Sequence, residues 1–222
     1  IGCDADSRQA AAVIAQAGTL AAKLTAIGTW PDIGYGDQKV RLDWDVARHL
    51  DRLTVLARAR RLAPGDDGIR PAALTALDHW LLKKYDNPNW YWNLIGTPTR
   101  VGDIALLLDA DLSPEQRQGT VDVLRRARYY GLDGANLAWT AAVFIRRALL
   151  TNDSDMAEDA FGVLQRTLPH SLHDGIQPDN SYLFHSSVLF LGSYGMAHSG
   201  TAARFADLAR DTRFAFPQVR LE

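Results

Sequence analysis

The chain has 222 residues, 47% of them hydrophobic, enough for one large domain with a substantial core. Its formal net charge of -2 gives neither the basic footprint that nucleic acid requires nor the basic field that draws a protein to a membrane surface. No apolar run reaches the roughly 18 residues of a membrane span, and the single cysteine, Cys3, has no partner for an internal disulfide.

The chain begins at Ile1 rather than Met, as a processed or trimmed polypeptide would, and a removed signal peptide is compatible with that start. The terminal Leu221-Glu222 reads equally as native sequence or as a cloning scar.

Helical periodicity dominates from the start. Val13, Ile14, Ala17, Leu20 and Leu24 form a first apolar stripe, and Val46, Leu50, Leu53 and Ala57 a second. Leu74, Leu77 and Leu81 mark a third, closed by Asp86-Asn87-Pro88. Ser113-Pro114-Glu115-Gln116 supplies an N-cap serine, a proline at the first helical position and a capping-box glutamine. The helix it opens points Val121, Leu124 and Ala127 inward.

Leu137, Ala141, Phe144, Ile145 and Ala148 form the next stripe. An acidic start from Asp155 to Glu158 leads into Ala157, Phe161, Leu164 and Leu168, and a last helix covers much of Gly195 to Arg210. No segment shows strand alternation with hairpin turns. The pattern predicts an all-α fold of about eight helices in antiparallel hairpins, with no repeat at a fixed period. No internal boundary is visible, so residues 1–222 read as a single domain.

Three stretches carry candidate chemistry. In Asn87-Pro88-Asn89-Trp90-Tyr91-Trp92-Asn93, three consecutive aromatics cannot all face one core. An exposed ring flanked by amides suits a sugar, whose apolar face stacks while Asn bonds its hydroxyls; the alternative places Trp90 and Trp92 in the core with Tyr91 reaching outward. In Gly131-Leu132-Asp133-Gly134-Ala135-Asn136, an amide near a helix start lies where backbone N–H groups favour an anion; the alternative is an ordinary N-cap asparagine.

In the polar stretch Asp174 to Gly195, His185 and Tyr194 either converge on a substrate as general base and acid or fill a core. Loops of this kind inside compact domains are more often functional than not. The chain has no GxSxG, HExxH, P-loop or cysteine–histidine metal spacing, and neither a metal nor a cofactor is expected.

Taken in order, these stretches resemble the polysaccharide lyases of the hyaluronate, chondroitin AC and xanthan lyase family. That family has an Asn-Trp-Trp block leading to Ile-Gly, then Gly-Ala-Asn. An Asp-Gly-x-x-x-Asp-Gly-Ser-Phe-x-x-His stretch follows, with Tyr-Gly nine residues beyond its histidine. Here they are Asn89-Trp90-Tyr91 leading to Ile95-Gly96, then Gly134-Ala135-Asn136, then Asp174 to His185, with Tyr194-Gly195 nine positions on. The resemblance runs from about Asn87 to Gly195.

The resemblance implies an incomplete (α/α) toroid of helical hairpins around a cleft for an acidic polysaccharide such as hyaluronan, chondroitin or xanthan. It implies β-elimination in a secreted, extracellular enzyme, leaving an unsaturated uronate. Asn136 would neutralise the uronate carboxylate, His185 would assist or share the base role, and Tyr194 would stand closest to proton transfer. Trp90 and Tyr91 would form the stacking patch, with Asn89 bonding a sugar.

Several positions depart from the family pattern. Tyr91 replaces the second tryptophan of the block, Leu137 stands where many relatives carry arginine, and Tyr182 stands for phenylalanine. Asn180 replaces a glycine; asparagine accepts positive φ better than most residues, so the turn is expected to hold. Family enzymes continue into further toroid helices, with catalytic arginine and glutamate residues, and then into β-sheet domains. The chain is therefore expected to work with that C-terminal part.

Two other readings stand beside this one. The first is a toroid fragment that binds polysaccharide without cutting it. The second is an inverting glycoside hydrolase on an (α/α) barrel, with Asp133, Asp174 or Asp179 as carboxylates roughly 6.5–9.5 Å apart.

Overall fold

In the computed structural model, which describes residues 8–39, 43–186 and 188–217, each apolar stripe read from the sequence falls mainly on a helix, with Leu24, Ala127 and Leu168 beyond the helix ends. Cys3 and Leu221-Glu222 lie outside the described residues. The chain divides into two compact units, one ending at Arg126 and the other beginning at Ala127.

The first unit holds α1 (Arg8–Ala22), α2 (Ala47–Leu62), α3 (Ile69–Lys83), α4 (Thr97–Leu107) and α5 (Pro114–Leu124). Helix α2 packs on α1, α3 and α4, and α5 packs on α3 and α4. Leu50, Leu53 and Ala57 of α2 are buried as expected, with Val46 buried just before the helix. Helix α5 starts with the predicted cap: Ser113 Oγ accepts from Gln116 N, while Gln116 Oε1 accepts from Ser113 N at 3.0 Å.

Helix α3 differs from its predicted stripe. Leu77 is buried, but Leu74 and Leu81 are only partly covered, and Ala73, Ala76, His79 and Trp80 take the inner face. Aromatic rings from outside the helix explain the rotation. Trp44 lies between Trp80 and Trp92, with ring centroids 6.3 and 5.6 Å away, and the His49 ring sits 5.4 Å from Trp80. Burying such rings recovers more apolar area than burying the two leucines would.

Two histidines are locked into this ring cluster. His49 Nε2 donates to the Ala76 carbonyl at 2.9 Å, and its Nδ1 accepts from the Tyr35 hydroxyl at 3.0 Å. His79 uses the opposite tautomer, with Nδ1 donating to the Ile27 carbonyl at 3.0 Å and Nε2 accepting from Tyr85 at 2.9 Å. A carbonyl only accepts, so each tautomer is set by its backbone partner.

The second unit holds α6 (Gly134–Thr151), α7 (Ser154–Arg166), α8 (Met196–Ala209) and three short strands. Helices α6 and α7 are joined through Asn152, whose left-handed backbone ends α6, and Asp153, whose carboxylate accepts from Met156 N to open α7. Phe161, Leu164, Phe205 and Phe216 are buried with Ala138, Ala141 and Ile145 in one cluster.

The stretch read as an irregular loop is in part a small antiparallel sheet: β1 (Gly175–Ile176), β2 (Tyr182–Phe184) and β3 (Val188–Leu189), in the order β1-β2-β3. Strands of two or three residues are too short to show alternation in sequence, which is why no strand was expected. Asn180 closes the β1–β2 turn at φ +63°, as its tolerance for that region predicts.

Helices α4 and α8 share an unusual entry. Each is preceded by one π-helical turn, Trp92–Gly96 before α4 and Leu191–Gly195 before α8. Such turns are rare and concentrate at functional sites.

Burial holds His49 and His198 as neutral imidazoles, with pKa values pushed down to about 4 from 6.5, and lowers His79 as well. The unfolded chain therefore binds more protons than the folded one between pH 6.5 and about 4, and stability falls as pH drops through that window. Urea unfolding at pH 7.5 and pH 4.5 is expected to show a loss on the order of 3 kcal/mol. Equal midpoints at the two pH values would contradict the buried neutral histidines.

Candidate functional site

The aromatic block belongs to the first unit, where an asparagine clasp shapes it. Asn87 N donates to Asn93 Oδ1 at 2.9 Å, and Asn93 Nδ2 returns a bond to the Asn87 carbonyl at 2.7 Å. Asn87 Oδ1 accepts from Asn89 N, and Asn89 Oδ1 accepts from Tyr91 N. Asn87 and Asn93 are thus committed to the backbone, whereas the Asn89 Nδ2 donors form no hydrogen bond among the described residues.

The three rings then separate. Trp92 is buried against Trp44, and the Arg100 guanidinium lies 5.0 Å over its ring. Tyr91 is half-buried, edge-on to both neighbours. Trp90 is 47% exposed, which places it at the surface and not in the core. One ring of the block thus faces outward, which is not the arrangement with Trp90 buried. Arg100 bonds Asp51 at 2.8 Å and the Gly96 carbonyl at 3.2 Å, bracing the π turn from α4. Sequence reasoning missed it because its ion-pair partner, Asp51, is distant in the chain.

In the second unit, Gly134-Ala135-Asn136 opens α6. Asp133 occupies the N-cap position without a side-chain cap, and Asn136 stands at the third helical position. The ordinary N-cap alternative for Asn136 is therefore not what the structure has. Its side chain is buried and forms no hydrogen bond among the described residues. Gly134 is required on two grounds: its φ is +44°, and a Cβ there would lie 2.9 Å from the Phe184 ring and 3.0 Å from the Tyr182 hydroxyl.

His185 and Tyr194 meet. His185 Nε2 lies 3.1 Å from the Tyr194 hydroxyl, with the rings perpendicular at 5.1 Å. His185 is exposed at the tip of the β2–β3 hairpin, so the buried-core alternative does not apply to it. Tyr194 is half-buried on the π turn before α8. Trp139 stacks on it at 5.8 Å, Phe184 lies at 4.2 Å and Phe190 meets it edge-on at 5.3 Å.

Trp139 stands three residues after Asn136 on α6, so the helix carrying the amide also supplies one wall for the phenol. That spacing was legible in the sequence but went unused. The π turn can pack this closely on Tyr182 only because residue 195 is glycine: a Cβ there would lie 2.8 Å from Tyr182 Cβ.

The backbone at the tip is strained. His185 and Ser186 sit at φ +53° and +63°, a region costing roughly 1–2 kcal/mol for each residue other than glycine. A phenol bonded to an imidazole, walled by rings on one side and open through His185 on the other, can pass a proton to or from a group set beside it.

The carboxylates proposed for a hydrolase have local duties. Asp174 accepts from Ser186 N, and Asp179 accepts from Ser181 N at 3.0 Å, where the Ser181 hydroxyl and amide hold the Asp179 carboxyl below its usual range. Among the described residues, no group of three His, Cys, Asp or Glu side chains is arranged to hold a metal ion. No described helix is long and apolar enough to cross a membrane.

Residues 6–221 match the family described as polysaccharide lyase family 8, N-terminal alpha-helical domain. Chondroitinase-AC of Pedobacter heparinus is 27% identical over 204 residues, covering 87% of this chain and 29% of that protein. Hyaluronate lyase of Thermasporomyces composti is 30% identical over 201 residues, covering 82% of this chain and 25% of the relative. The chain thus spans between a quarter and a third of these relatives' length.

Among solved structures, a chondroitinase AC lyase studied as enzyme–oligosaccharide complexes superposes with a TM-score of 0.88 at 26% identity, over 94% of this chain and 32% of that one. The Streptomyces coelicolor A3 chondroitin AC lyase in complex with chondroitin sulphate has a TM-score of 0.81 at 20% identity, over 100% of this chain and 32% of that one, a likeness of fold. The expected class of helical hairpins is the class of these structures. With residues 6–221, almost the whole of this chain, matching the family's N-terminal alpha-helical domain, the chain belongs to polysaccharide lyase family 8.

Proposed function

We propose that this domain carries the proton-transfer residues of a secreted lyase that cleaves a uronate-containing polysaccharide by β-elimination. The observation that carries the reading is the 3.1 Å contact between His185 Nε2 and the Tyr194 hydroxyl, on a phenol walled by Trp139, Phe184 and Phe190.

The chemistry has three requirements. The uronate carboxylate must be neutralised so that its neighbouring C5 proton becomes acidic. That proton must be removed, and the oxygen departing from C4 must be protonated. The electron pair of the C5–H bond then forms the C4=C5 double bond as the C4–O bond breaks.

Asn136 supplies the first requirement, through an amide on the first turn of α6 whose donors strengthen their hold as charge moves onto the carboxylate. Tyr194, its own hydroxyl proton having passed to His185 Nε2, takes the C5 proton as phenolate and then gives that proton to the leaving oxygen. His185 bonds its hydroxyl and shares the charge as the phenol ionises. Exposed Trp90 stacks on a sugar ring, half-buried Tyr91 flanks it, and the Asn89 Nδ2 donors meet a hydroxyl.

The reading of the substrate class is supported by the relatives above, whose names give chondroitin and hyaluronan. A polymer of that size is met outside the cell, hence the proposed secretion. Because the chain spans 25–29% of the first two relatives, a second reading also has support: this piece grips the polymer while further catalytic groups come from the remaining part of a longer enzyme.

Ultraviolet absorbance of unsaturated uronate separates the two. The chain is incubated in parallel with hyaluronan, chondroitin and xanthan. A rising signal with one polymer establishes elimination, and flat traces alongside measurable binding favour the gripping role. Tyr194→Phe keeps the ring packed on Trp139 and Phe184 but removes the hydroxyl; it is expected to abolish product while leaving affinity within about tenfold, or ~1.4 kcal/mol. Retained turnover would take Tyr194 out of the mechanism. Trp90→Ala is expected to weaken binding by about 1–3 kcal/mol, as loss of a stacking ring does elsewhere, measured by titration calorimetry; unchanged affinity would leave Trp90 without a role in binding.

A further inference from the structure

We infer that Asp174 is the positioning residue of the His185–Tyr194 pair, its carboxylate clamping the left-handed turn that aims the imidazole. For its catalytic consequence the inference rests on the lyase reading above. The clamp itself stands on geometry.

His185 and Ser186 adopt φ of +53° and +63° in succession, at the tip of the hairpin made by the Phe184–Val188 pair. Two adjacent non-glycine residues in this region do not hold it on their own account, so something outside the turn must select it. Asp174 does so. Its Oδ1 accepts from Ser186 N at 3.1 Å and its Oδ2 lies at 3.4 Å from the same nitrogen.

The acceptor is itself fixed. Gly175 pairs with Leu183 across β1 and β2, which sets Asp174 level with Phe184, the residue just before His185. The Ile176 carbonyl accepts from Ser171 N at 2.7 Å, tying β1 to the chain before it. A carboxylate fixed just before β1 therefore grips the backbone just after β2.

The direction of His185 depends on this grip. Its side chain has little packing to hold it, because the residue is exposed; its ring touches Phe184 at 4.7 Å and Phe190 at 5.7 Å. With the turn left-handed, Nε2 meets the Tyr194 hydroxyl. Relaxation of Ser186 to negative φ would swing the Cα–Cβ bond of its neighbour and open that contact. Asp174 needs only an acceptor oxygen for this work, so an amide in its place should serve nearly as well. A group acting by its charge or as an acid would not tolerate that exchange.

The experiment compares Asp174→Ala and Asp174→Asn in the whole chain, with two readouts. The first is hydrogen exchange at the Ser186 amide, together with the nuclear Overhauser contact between the His185 and Tyr194 rings. Asp174→Ala is expected to speed Ser186 exchange at least tenfold and to lose the ring contact, whereas Asp174→Asn keeps both. The second is the elimination assay. There Asp174→Ala is expected to lower kcat at least tenfold with KM within threefold, and Asp174→Asn to keep kcat within threefold of the parent.

Wild-type exchange and a wild-type ring contact in Asp174→Ala would overturn the clamp. Equal impairment of the alanine and asparagine variants would do the same, by pointing to charge instead of geometry. If the parent chain yields no unsaturated product, the lyase reading of this piece fails, and the exchange and ring contact alone decide the clamp. Melting curves by circular dichroism check that both variants fold.

Discussion

The candidate site in the second unit is arranged around one side chain, the buried ring of Tyr182. Its Cβ end is covered by Gly195, its hydroxyl end lies against Gly134, and its carbonyl accepts from Phe190 N at 2.9 Å. The first of these contacts seats the turn that carries Tyr194. The second seats the helix turn that carries Asn136. A side chain larger than hydrogen at either glycine would push its segment off the ring, so the phenol and the amide keep their places through a shared support with no direct bond between them. Replacement of the family's phenylalanine by Tyr182 keeps that support and adds a hydroxyl, and burial pushes the hydroxyl's pKa upward, so it stays neutral.

Much of this was legible in the sequence. The capping box at Ser113, the stripe on α2 and the extent of α8 follow from local rules and appear as expected. The pairing of His185 with Tyr194 was legible only through spacing and resemblance: nine residues of unremarkable composition do not reveal that a hairpin tip and a π turn fold back on each other. Asn180 was read correctly because its constraint is intrinsic to the residue. His185 and Ser186 carry the same positive φ with no such sign, because their conformation is imposed by the Asp174 carboxylate across the sheet.

The remaining misreadings share a cause. Leu74 and Leu81 were expected inward because helical periodicity treats every apolar residue alike, whereas α3 turns toward whatever rings its neighbours offer. The three strands were missed because strands this short leave no period to count. Of the three asparagines in the aromatic block, only Asn89 was assigned to a sugar, and Asn87 and Asn93 are held by the backbone.

The π turns before α4 and α8 have a consequence for how such a site is addressed. A π turn holds one residue more than an α turn needs, and each helix successor is set about 100° around the axis from the residue before it. Deleting one residue from Trp92–Gly96 or Leu191–Gly195 would let the segment continue as ordinary helix, while turning everything before it by about that angle. Trp90 and Tyr91, or the hairpin bearing His185, would then face a different direction with no side chain changed in kind. The two turns act as phase settings, fixing which way the loops point independently of which residues the loops contain.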